Sequence, residues 1–180
     1  MKRIAPFIMC LVLLCGCADT GEKEFIRFVE HTVHAEEISF TADVRAEYDD
    51  KTARFKLRYE HDGDGSEVTV LEPELLSGIK ARLAGDRLSL EYEGAMLDIG
   101  TLPDARLSPM SALPLMMKAI RNGHVEITWL EDERIAARIV PEDDYAVTLW
   151  LSSSLVPESA EISYKERSVV FIEISDWSAE

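Results

Sequence analysis

The chain has 180 residues, with 19 Lys+Arg against 34 Asp+Glu and a formal net charge of −15. That length suits one domain plus a short extra segment, and 47% hydrophobic residues suffice for a core. So negative a body is repelled by phosphate backbones and anionic headgroups, which excludes nucleic acid as a partner and a basic patch as a means of membrane attachment.

Attachment is expected at the N-terminus instead. Lys2 and Arg3 form a positive start, and Ile4 to Leu14 form an apolar run broken only by Pro6. The run is too short to span a bilayer, which takes about 20 residues, and has the length of a signal-peptide core. It ends in Leu14-Cys15-Gly16-Cys17. This resembles the lipobox of bacterial lipoproteins. The resemblance implies diacylglycerol on the Cys17 thiol, acyl chains of the palmitate type, and cleavage before Cys17. Residues 1–16 are then a signal peptide, 17–21 a lipidated N-terminus and short tether, and 22–180 a single domain. That domain is expected to be lipid-anchored to the cell membrane on its extracytoplasmic side. No cysteine follows Cys17, so the domain has neither a disulfide nor a thiol nucleophile.

Glu22 to Ala35 reads as an amphipathic helix, with Phe25, Phe28, Val29, Thr32 and Val33 at spacings of three and four. Thr20, with Lys23 three residues on, supplies half a capping box. From Ile38 the period changes to two. Ile38, Phe40, Ala42, Val44, Ala46 and Tyr48 alternate with polar residues, and Ala53, Phe55, Leu57 and Tyr59 return as the second arm of a hairpin. Arg45, Arg54 and Arg58 share the wet side. Further strands are expected over 67–71, 79–83, 88–92 and 96–99, with one helical turn over 73–77. A second helix is expected over 108–122, with Ser108 as its cap, Pro109 in its first position and Asn122-Gly123 as its stop. Pro114 is expected to split or delay it. Val125, Ile127 and Trp129 alternate, then Ile135, Ala137 and Ile139, then Tyr145, Val147, Leu149 and Leu151, and a looser pair of strands closes the chain. Trp150 falls on the other side of its strand from Leu149 and Leu151 and is a candidate contact for a partner or the membrane.

Short turns between amphipathic strands give an antiparallel sheet with one apolar face. So wide a sheet curls around whatever fills that face. The expected class is α+β, mainly β: a curved antiparallel sheet of about ten to eleven strands, an open half-barrel, with two or three helices on its concave face.

The segment Val70-Leu71-Glu72-Pro73-Glu74-Leu75-Leu76-Ser77-Gly78-Ile79, followed by Leu107-Ser108-Pro109 before a Met-rich helix, resembles the LolA/LolB-like lipoprotein-carrier superfamily. Within it, the chain looks closest to clostridial proteins related to the germination lipoprotein GerS. The resemblance covers nearly all of the mature chain but marks topology more than chemistry. It implies an apolar cavity under a helical lid, and either acyl-chain binding or service as a protein-binding platform. The acyl-carrier arginine of the Lol proteins has no counterpart, since Arg45, Arg54 and Arg58 lie on the wet side.

Two functional readings stay open. In the first, a lipid, acyl chain or other hydrophobic ligand sits against Phe40, Val44, Phe55, Leu57, Met110, Met116 and Met117; methionine suits adaptable surfaces, although core filling is its ordinary use. In the second, the core is filled and the protein binds a cell-envelope partner such as a cell-wall or germination enzyme. No cofactor and no metal site is expected: His31 and His34 sit three apart on the first helix without a third ligand at a diagnostic spacing. Asp62-Gly-Asp64-Gly reads as a hairpin turn, not a calcium loop. No nucleophile elbow or phosphate-binding glycine loop is present, so catalysis is not expected.

Overall fold

A computed structural model describes residues 19–180 apart from 49–50, 64, 86, 102–107, 142–144 and 166. Cys17 and the expected signal segment, 1–16, lie outside the described residues. Helix α1 spans Asp19–His34 and helix α2 Pro109–Asn122. The strands are β1 (Ile38–Tyr48), β2 (Lys51–His61), β3 (Ser66–Glu72), β4 (Lys80–Ala84), β5 (Arg87–Tyr92), β6 (Ala95–Thr101), β7 (His124–Glu131), β8 (Arg134–Val140), β9 (Tyr145–Leu151), β10 (Pro157–Tyr164) and β11 (Arg167–Ala179). A 3-10 turn, Glu74–Leu76, follows β3.

The eleven strands make one sheet in the order β6-β5-β4-β3-β2-β1-β11-β10-β9-β8-β7. Every neighbouring pair is antiparallel. The order does not close on itself: β6 and β7 are the two edges. The fold is therefore α+β, mainly β, an open curved half-barrel as the alternation and the short turns predict. Its seam is β1 against β11, where Ile38 faces Ala179 and Val44 faces Ile172. The inward sets of β1 and β2, together with Val147, Leu149, Ile162 and Ile172, bury against the two helices in one core. Phe25 and Phe28 bring α1 into it, and Trp177 stacks on Phe40 with ring centres 5.1 Å apart.

Three local expectations are corrected. Helix α1 begins at Asp19, three residues before the expected Glu22. Helix α2 runs unbroken through Pro114, which is buried. Pro114 sits one turn in from the start, so its missing N–H removes a single bond to Met110. Ser108 caps α2 as expected, and Ser111 reciprocates: the Ser111 N–H donates to Ser108 Oγ at 3.2 Å and the Ser108 N–H to Ser111 Oγ at 3.0 Å. Gly123 ends the helix in extended backbone, φ −76°, not in the left-handed conformation of the usual glycine stop. Its requirement is space: a Cβ there would stand 2.5 Å from the Ala119 carbonyl oxygen and 2.4 Å from Ile139 Cγ2.

The third correction concerns β7. Its pairing with β8 shifts between Val125 and Ile127. Beyond that bulge Thr128 faces Ala137 and Leu130 faces Ile135, so these residues take the inward side and Trp129 turns outward. The expected alternation of Val125, Ile127 and Trp129 on one face does not hold.

Candidate functional site

The residues expected to line a ligand face are brought together on the concave side of the sheet, beneath the helices. Phe40, Val44, Leu57, Met116 and Met117 are each at most 2% exposed and belong to the continuous core. Phe55 and Met110 are half-buried and pack against it. A large accessible hollow lies elsewhere, on the outer face.

This groove has a volume of about 720 Å³ and runs from β2 across to β8. Strand register aligns its floor. One cross-strand row reads Trp129, Ala136, Trp150, Ser159, Glu173, Asp43, Lys56 and Glu72; a second reads Thr148, Glu161, Phe171, Arg45 and Arg54. Ala136 is fully buried, though it lies outside the core beneath the helices. The neighbouring Trp129 and Trp150 cover it from either side. Glu131 fixes both indoles: its Oε2 accepts the Trp129 Nε1–H and the Trp150 Nε1–H at 3.1 Å each. Arg134 stands 3.8 Å from the other carboxylate oxygen. The bonds from Trp150 and Trp129, with Arg134 nearby, hold the Glu131 carboxyl below the ordinary glutamate range. Further along, the Arg45 guanidinium lies 4.1 Å over the Phe171 ring and donates to Glu47 at 2.8 Å.

The segment from Val70 to Ile79 frames one end. After β3 the chain leaves the sheet, turns at Pro73 and the 3-10 turn, and returns: the Val70 N–H donates to the Ile79 carbonyl and the Gly78 N–H to the Val70 carbonyl, each at 2.9 Å. Glu72 and Pro73 line the groove, and Leu75 at the tip of the excursion is 88% exposed.

Trp150 was legible as an outward residue from its parity. The Trp129–Glu131–Trp150 arrangement was not, because it depends on the β7 bulge. The shared parity of Trp129 and Glu131 was the available signal. Among the described residues no group of three His, Cys, Asp or Glu is arranged to hold a metal ion, and no helix is long and apolar enough to cross a membrane.

Solved structures share this architecture. A LolA superfamily protein from Nitrosomonas europaea is 14% identical, covering 89% of this chain and 93% of its own, with a TM-score of 0.50. The fold is LolA-like. A conserved protein from Thermus thermophilus shows the same arrangement at 10% identity, 88% and 87% coverage and a TM-score of 0.51. A chain in the structure of the CwlD amidase from Clostridioides difficile in complex with the GerS lipoprotein aligns at 14% identity, 88% and 95% coverage and a TM-score of 0.45. No protein-family model and no curated protein matches the sequence.

Proposed function

We propose that this protein is a non-enzymatic, lipid-anchored platform of the cell envelope, tethered through Cys17, whose outer groove docks a protein partner. The observation that carries this reading is the division of the two sheet faces. The concave face is packed by α1 and α2, while the outer face presents a hollow holding Trp150, Phe171 and arginines. Tryptophan and arginine dominate the energetics of protein interfaces when they sit centrally in a pocket. The indoles are already fixed by Glu131, so little side-chain freedom is lost on binding. With a net charge of −15, the body steers a basic partner toward itself.

The lipid-binding reading asks more of the molecule. An acyl chain held by Phe40, Val44, Phe55, Leu57, Met110, Met116 and Met117 has to displace α1 and α2, because most of these side chains already contact core neighbours.

The test uses the anchored protein in its own envelope. A photo-crosslinking residue at Trp150 is expected to capture one basic protein, with a yield that falls as salt rises. The same residue at Tyr92, exposed near the β6 edge, is expected to capture none. In parallel, Cys17→Ser is expected to move the chain to the soluble fraction. Equal capture at both positions, or a co-purifying acyl lipid with no Trp150 adduct, would discard the docking reading. A membrane-bound Cys17→Ser chain would discard the anchor.

A further inference from the structure

A second hollow, of about 330 Å³, opens where the last turn of α2 passes over the ends of β2 and β4. Tyr59, His61, Leu83, Met117, Lys118 and Arg121 line it. Arg121 is the anomaly. Its Nε and Nη2 are buried and have no hydrogen-bond partner. Elsewhere on this acidic chain arginines find carboxylates readily: Arg27 holds Glu24, Arg58 Glu60, Arg82 both Glu67 and Glu91, Arg87 Asp98, and Arg138 Glu126. A guanidinium with two buried donors left open is costly unless something of opposite charge completes it.

The surroundings suit an anion. Lys118 lies one helical turn before Arg121 and lines the same hollow. Burial, and then the Arg121 charge, hold the His61 imidazole below its usual range, against the Gly65 hydrogen bond and the Asp62 carboxylate, which act the other way. His61 Nδ1 stands 2.6 Å from the Gly65 carbonyl and donates to it. The Tyr59 hydroxyl donates to Ser66 Oγ at 2.9 Å. At the start of β3 the backbone runs close to β4: a Cβ on Gly65 would stand 2.8 Å from the Leu83 carbonyl oxygen.

We propose that this pocket binds an oxyanion, a phosphate or carboxylate group, with Arg121 as its principal ligand. A planar guanidinium with Nε and Nη2 open matches the two oxygens of such a group in the bidentate geometry that gives the strongest hydrogen bonds. The volume admits a head group and a few attached atoms. Leu83 and Met117 would meet the first methylenes if the anion heads an amphiphile. This pocket shares no lining residue with the outer groove.

Full-length protein in detergent, labelled at histidine, reads the site directly through the His61 ring resonances, assigned with His61→Gln. Inorganic phosphate, acetate and hexanoate are titrated in turn, and the His61 midpoint is followed against pH. A bound anion offsets the Arg121 charge, so the midpoint is expected to rise by roughly half a unit or more. Arg121→Met is expected to abolish this response, and Arg121→Lys to keep it in weakened form. The head group's source follows from the two carboxylates. Saturation by hexanoate at a tenfold or more lower concentration than acetate assigns an amphiphile, and equal concentrations assign a free small anion. A His61 midpoint unmoved by all three probes, or moved equally in wild type and Arg121→Met, overturns the proposal.

Discussion

Glu131 sits where its charge is read by two indoles at once. Both Trp129 and Trp150 donate to the same carboxylate oxygen. Those bonds favour the ionised form, so the folded-state pKa lies below the ordinary 4.5. The stabilisation is therefore complete above the unfolded value and is lost as pH falls through the lower, folded one. Tryptophan emission is expected to change with a midpoint below 4.5, and Glu131→Gln to remove that step. A transition at or above 4.5 would show that the indoles do not hold the carboxylate. At this scale the sequence was legible wherever parity alone decides: Phe40, Val44 and Leu57 point inward and Trp150 outward, as alternation requires. Trp129 was misread because one extra residue before it inverts every position after. Arg121 was not singled out at all, because nothing in its own neighbourhood of the chain shows that its guanidinium will lack a carboxylate.

The elements followed their patterns closely, and the two glycines after them show why local rules need tertiary detail. Replacing glycine by alanine where φ is negative ordinarily stabilises, by about 0.4–1 kcal/mol, through the unfolded state. Gly123→Ala is expected to do the reverse and destabilise by roughly 1–3 kcal/mol, because the new methyl meets backbone oxygen at Ala119. Gly78→Ala is expected to cost about 1 kcal/mol for a different reason: its φ is +86° while the space around it is open. Denaturant unfolding of both, with asparagine tried at each position, separates the causes. Asparagine tolerates the left-handed backbone and should partly rescue position 78 but worsen 123. The cap of α2 at Ser108 and Pro109 was readable because capping chemistry is local. The continuity of α2 through Pro114 was not, since the burial of nearly every residue around it holds the helix together despite the missing bond.

On the scale of the whole molecule, the sheet consists of two wings. Strands β1 to β6 extend one way from the seam and β11 back to β7 the other, so the first and last strands meet in the middle. The count of strands and their antiparallel sense were legible from turns and alternation. This seam was not, because hairpin reasoning pairs only neighbours in the chain. A variant ending before Arg167 lacks β11 altogether and is expected to keep each wing's hairpins but lose cooperative unfolding, seen as a broadened thermal transition and concentration-dependent aggregation. One sharp, reversible transition in that variant would mean the wings hold together through the helices alone. The seam also orders events in time. Closing it joins residues far apart in the chain, Ile38 with Ala179 and Ala46 with Val170, the slowest kind of contact to form. A polypeptide synthesised N-terminus first presents α1 and β1 long before β11 emerges, so β1 waits with one side bare until the final stretch arrives. The newborn protein thus spends its first moments as an open template for pairing, and completion of the chain is what disarms it.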